Sequence, residues 1–280
     1  MIETMKVKLL NLPIGLAIIA LSLSVNGAFA QKAKKIQDES VWMPALRVDG
    51  KPNDWHTPLQ AENKTTGLAY TLANDDHNLY LLIQAHDRRS NTKIMLGGIS
   101  FAVNTDGDKD LDGAFNVTFP VINSSNLDLR GATRVSREER GISSRERDSM
   151  EMAAGNAALD TLKYISVDGF KNITDSVVSI YNTYGLKAAA RFDEEGRYSY
   201  ELAIPLKLLG LSPADPKEFA YNIRLNGAEQ GNYNRGYGRR RGNFGRGNMD
   251  MLDFMSPTDF WGKYTLAQST TDQQPGISKK

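Results

Sequence analysis

The sequence predicts an all-β protein: an antiparallel β-sandwich, jelly-roll or immunoglobulin-like, with one short helical insertion and a long Arg/Gly-rich loop. Three observations carry that reading. About ten short segments rich in aromatic and aliphatic residues follow one another between turn residues, at the spacing of a sandwich. Two connections, "NDDHN" (74–78) and "DEEG" (193–196), have the Asn, Asp and Gly chemistry of hairpin turns. No repeating βα pattern and no phosphate-binding glycine motif competes with them.

Taken in order, the chain opens with Lys6 and Lys8 ahead of the apolar run "LLNLPIGLAIIALSLSV", then the small-x-small site Ala28-Phe29-Ala30. These are the parts of a secretory signal peptide over residues 1–30, cleaved before Gln31. Pro13 and Gly15 interrupt the run, which is marginal for a bilayer span of roughly 20 apolar residues. The expectation is a periplasmic or secreted protein with no transmembrane segment after cleavage. Residues 31–45 read as a linker, 46–267 as the sandwich and 268–280 as a disordered tail. The chain has no cysteine, which excludes disulfides, a thiol nucleophile, a lipid-modified N-terminal Cys and covalently attached haem.

Strands are predicted at 68–74, 79–86, 99–105, 114–119, 162–167, 177–183, 186–192, 198–204, 219–226 and 262–267. Two stretches interrupt them. Residues 130–160 are charged and then Ala/Met-rich, and Ser143 with Glu146 has capping-box spacing, so a helix starts near 144. Residues 231–248, "GNYNRGYGRRRGNFGRGN", hold five arginines and no acidic residue, and lie between two strand segments. Arginine interleaved with aromatics suits nucleic acid. Export argues against that partner, so the stretch reads as a surface loop inside the fold and the protein as one that binds no nucleic acid. The mature chain is near neutral, and without those arginines it carries about −5.

Several segments carry structural reasons of their own. In "RVDGKPNDW" (47–55), Asp49 and Gly50 suit a turn and Trp55 suits burial beside it. In "YSYELAIP", alternation places Tyr200, Leu202 and Ile204 on one face, and Pro205 ends the strand before "LKLLGL" turns or makes a short helix. Trp261 in "DFWGKY" reads as packing. With "YTLANDDHNLYLLIQAHD" (70–87), "ISFAVNTDGDKD" (99–110), "FAYNIRLN" (219–226) and "SPTDFWGKYTL" (256–266), these segments come in an order that resembles the family 9 carbohydrate-binding modules and the exported sandwich domains related to them. The resemblance spans about residues 46–267. It implies a non-enzymatic domain that binds a glycan or another cell-envelope polymer, with structural calcium.

Candidate sites follow from both readings. Asp106, Asp108, Asp110 and Asp112 alternate in "NTDGDKDLDG", and residues 108–113 fit the first half of a calcium loop. Phe119 stands where an EF-hand would have its glutamate. Two readings stay open, a structural calcium site and a solvated acidic turn. Sugar binding in the modules it resembles uses aromatic rings around a pyranose. Trp55 and Trp261 read as packing and Trp42 lies ahead of the first motif, so Tyr233, Tyr237 and Phe244, with Arg240 as a donor, stand as the ligand residues. Two rival classes remain. One is b-type haem binding, with Met95, His86 and His77 as candidate axial ligands. The other is an envelope interaction module whose Arg/Gly loop contacts an anionic surface. The three histidines lack metalloprotease spacing and no nucleophile elbow accompanies them, so no catalytic residue is predicted.

Overall fold

A computed structural model describes residues 33–85, 87–122, 143–227 and 256–269, all within one compact unit, Ala33–Lys280. The described strands form two antiparallel sheets. The five-stranded sheet runs in the order β1 (Ala61–Asn63), β2 (Leu68–Asn74), β3 (Asn78–Ala85), β9 (Tyr198–Pro205), β8 (Lys187–Phe192). The six-stranded sheet runs β11 (Thr258–Thr265), β10 (Glu218–Leu225), β4 (Ile99–Asn104), β5 (Phe115–Phe119), β6 (Tyr164–Asp168), β7 (Val177–Ser179). The protein is an all-β sandwich, as the strand spacing predicts.

Period-two alternation builds the core. Tyr70 and Leu72, Leu81 and Ile83, and Tyr200 and Leu202 face inward from one sheet, and Phe101, Val117, Tyr221 and Ile223 from the other. The Tyr70 and Tyr221 hydroxyls meet at 2.8 Å between the sheets, and the Gln37 backbone N–H donates to Tyr70 Oη at 3.0 Å. Both rings are fully buried, and this contact satisfies their polar ends.

The segment expected as a linker packs onto the fold. Gln37 pairs with the backbone of Leu72 as a strand would, giving Nε2 to Leu72 O and accepting from Leu72 N. Farther along, Met43, Leu46 and Trp55 cover Ala73, Tyr80, Leu82 and Ala203 and make a second, smaller core on the outer face of the five-stranded sheet. The clasp is Glu201, whose side chain points outward from β9 and is 1% exposed. One carboxylate oxygen accepts from the backbone N–H groups of Asp49 (2.9 Å) and Gly50 (2.7 Å), and the other from Trp55 Nε1 (2.8 Å). Gly50 has φ 81°, and a Cβ there would press on the Ala190–Arg191 backbone, so the turn needs glycine twice over.

Among the described residues three α-helices sit at the margins. α1 (Arg88–Gly97), which the sequence reading lacks, is capped by Asp87, whose carboxylate accepts from Ser90 N at 2.8 Å. α2 (Ser144–Leu159) begins with the Ser143/Glu146 capping box expected of it. Its Asn156 accepts from Phe192 N (2.8 Å) and donates to Phe192 O (3.0 Å), occupying the free edge of β8 at that point. α3 (Leu206–Leu209) is the short helix after Pro205 and ends at Gly210 in the left-handed region.

Candidate functional site

The two outer faces of the sandwich differ. That of the five-stranded sheet is closed by Met43, Leu46 and Trp55. That of the six-stranded sheet carries polar side chains and a tryptophan, and the strand register defines its rows. One row reads Trp261–Asn222–Ala102–Asn116–Asp168 across β11, β10, β4, β5 and β6. The next reads Asp259–Arg224–Ser100–Thr118–Ser166.

Trp261 stands on this face because β11 alternates. Phe260, Gly262 and Tyr264 turn inward while Asp259, Trp261 and Lys263 turn outward. Trp261 is half-buried and belongs to neither apolar cluster, which corrects the packing role expected from sequence. Reading parity along "DFWGKY" reveals it: the tryptophan shares its phase with Asp and Lys, not with the core rings. Trp55, by contrast, is packed as expected, at 8% exposure.

Around Trp261 the polar groups are held in place. Asn222 is buried and donates Nδ2 to Asp259 Oδ2 (2.7 Å) and Phe260 O (3.1 Å). The Ser100 and Thr118 hydroxyls meet at 2.6 Å, and Asn226 Nδ2 donates to Ser100 Oγ at 2.9 Å. Arg224 is half-buried opposite Asp259, and its guanidinium has no carboxylate partner among the described residues. Ala102 and Ala220 are the small residues between these side chains. Among the described residues the arrangement offers a ring face, a guanidinium without a carboxylate partner, and ordered amide and hydroxyl groups. That combination matches a ligand with alternating apolar faces and equatorial hydroxyls.

A separate cavity lies away from this face. A cleft of about 540 Å³ separates the Gly50–Asn53 turn, α2 and the β8–β9 turn. Its charges are mostly spent on one another, Arg197 binding Asp193 at 2.6 Å and Glu195 at 3.0 Å. It is a seam between structural parts.

The other residues predicted from sequence fall out as follows. Tyr233, Tyr237, Arg240 and Phe244 lie outside the described residues, as does His86. Asp106, Asp108, Asp110 and Asp112 all lie exposed in the β4–β5 loop. Asn104 organises that loop, donating Nδ2 to Asp110 O (3.1 Å) and Asp112 O (3.3 Å) and accepting from Asp106 N (3.0 Å). Among the described residues no three His, Asp or Glu side chains are gathered at one point, and the four aspartates are spread along the exposed loop. For haem, His77 is exposed in the β2–β3 turn, whereas Met95 is buried on α1 beyond the far end of β3. The length of that strand, roughly 25 Å, separates them, so they cannot ligate one iron. Among the described residues the most strongly displaced titrations belong to core tyrosines such as Tyr198 and Tyr221, raised by burial, which is packing rather than catalysis.

No protein-family model and no curated protein matches the chain. Solved structures similar to it include two family 9 carbohydrate-binding modules from Caldicellulosiruptor kristjanssonii. The one in complex with glucose aligns over 85% of this chain and 99% of its own, at 13% identity and a TM-score of 0.37. The one in complex with cellotriose aligns over 69% and 78%, at 11% identity and 0.31. The sandwich assignment stands on the two sheets themselves.

Proposed function

We propose that this chain is an exported, non-enzymatic glycan-binding domain whose site is the outer face of the six-stranded sheet. The observation that supports it most is Trp261, half-buried on that face in register with Asn222 and near Arg224, which has no carboxylate partner among the described residues. A tryptophan ring stacks on the apolar face of a pyranose, and fixed amides, hydroxyls and a guanidinium bond its hydroxyls. Export is the reading of the leader over residues 1–30, and Tyr233, Tyr237, Phe244 and Arg240 are proposed as a second source of contacts.

The carboxylates on the face support binding without hydrolysis. Asp259 on β11 and Asp168 on β6 lie four strand spacings apart, about 19 Å. Glycosidase pairs stand about 5 to 10 Å apart. The experiment is a glycan array with three proteins: the mature chain, Trp261→Ala, and the chain lacking residues 231–248. The expected result is a glycan bound by the first, lost with Trp261→Ala and indifferent to calcium or EDTA. Loss on deleting the loop while Trp261→Ala binds normally would move the site to the loop.

A further inference from the structure

Of the five large apolar side chains exposed among the described residues, Leu111 lies in the β4–β5 loop and Met150 on α2, and the other three lie close together in the fold. Tyr164 is 55% exposed and Val177 45%, on the β6–β7 ribbon, and Tyr181 is 76% exposed in the turn that follows β7. Register places Tyr164 opposite Ser179 and Val177 opposite Ser166. Ser166 is opposite Thr118 and Thr118 opposite Ser100, so Tyr164 and Val177 share the outer face that carries Trp261. Tyr181 follows two residues after Ser179, its N–H donating to Ser179 Oγ at 3.2 Å. One face therefore carries aromatic side chains near both of its edges. From β11 to β6 is four strand spacings, about 19 Å, and the ground between is hydroxyl and amide.

Charge narrows the occupant. Lys263 is bound to Glu218 at 2.7 Å, which leaves Arg224 against Asp259 and Asp168. Among the described residues of this face no positive excess remains for a polyanion such as nucleic acid or an anionic membrane. Alternation of rings with hydrogen-bonding groups over such a length suits a polymer that repeats apolar faces and hydroxyls.

We propose that this face takes internal stretches of an extended, uncharged polysaccharide that crosses the strands from Trp261 to Tyr164 on the β6–β7 ribbon and Tyr181 in the turn after it. The inference rests on the glycan reading above and specifies the ligand as a long linear chain rather than a terminal sugar. The test is electrophoresis through gels containing a soluble β-glucan, a xylan or a mannan. At least one polymer should retard the wild type. Retention should fall about tenfold in Tyr164→Ala/Tyr181→Ala, whose exposed sites leave the melting temperature unchanged. Long oligomers of the same sugar should compete, and the monosaccharide should not. Equal retention of the double variant, or competition by the monosaccharide as strong as by long oligomers, would overturn the extended site; if Trp261→Ala still lost retention, the glycan reading would stand. A wild type that no polymer retards would overturn both.

Discussion

Glu201→Ala is expected to destabilise the protein by about 3 kcal/mol, because it strips acceptors from three donors at once. The backbone N–H groups of Asp49 and Gly50 and the indole of Trp55 all end on that carboxylate, in a site 1% exposed. Water cannot replace it without opening the turn, and the Met43–Leu46–Trp55 cover depends on the turn. Melting should fall by on the order of 10 °C. Glu201→Gln should cost less. Its carbonyl oxygen still serves Asp49 and Gly50, while its amide meets the Trp55 indole donor to donor. The pH dependence distinguishes this clasp from an ordinary ion pair. Burial raises the Glu201 carboxyl above the usual carboxylate range, against the pull of the Asp49, Trp55 and Gly50 donors. The folded chain then holds its proton to higher pH than the unfolded chain. Stability from this group is therefore fully present below the unfolded pKa and lost as pH rises through the folded one. Denaturant titrations across the acid range should show that slope in the wild type and its absence in Glu201→Gln.

Gly262→Ala is expected to cost nearly as much, roughly 3 kcal/mol, the upper part of the range for overpacking. Gly262 faces inward directly opposite Tyr221, and a Cβ at that position would fall on the Tyr221 ring. The ring cannot retreat: it is fully buried, its hydroxyl binds Tyr70 and its neighbours are Tyr70 and Phe101. Tyr221→Leu should cost stability alone yet recover part of the Gly262→Ala loss in the double variant, a non-additive pair. Lys263→Ala, one residue on and exposed, serves as the near-neutral control. Additive losses in the double variant would show that the Tyr221 ring is not what excludes a side chain at 262.

These residues also show how far the sequence was legible. Alternation and turn chemistry place ten strands close to where they lie, β2 at Leu68–Asn74 among them, and the Ser143/Glu146 spacing places the start of α2. The three-residue β1 is too short to alternate, and α1 escapes because "RRSNTKIM" has little apolar periodicity beyond Ile94 and Met95. "RVDGKPNDW" and "YSYELAIP" read as two separate motifs. What joins them is Glu201, about 150 residues along the chain from the turn it holds, a pairing that local spacing cannot reveal. Trp261 in "DFWGKY" reads as packing, whereas opposite phases send Trp261 to the outer face and Gly262 to the Tyr221 ring. That Trp261 and Tyr164 share one outer face, from β11 and from β6, follows only from register. In the acidic loop the spacing of the aspartates is legible, whereas the role of Asn104, which ties the loop backbone at Asp110 and Asp112, is not.

The most direct test of the glycan face uses the chain's three tryptophans as reporters. A proton–nitrogen correlation spectrum resolves one indole signal from each of Trp42, Trp55 and Trp261, assigned by substitution. Titration with the best-bound polysaccharide oligomer should move the Trp261 signal and leave that of Trp55, buried against Glu201 on the other sheet, where it was. A saturable titration in which the Trp261 indole does not move would contradict the account.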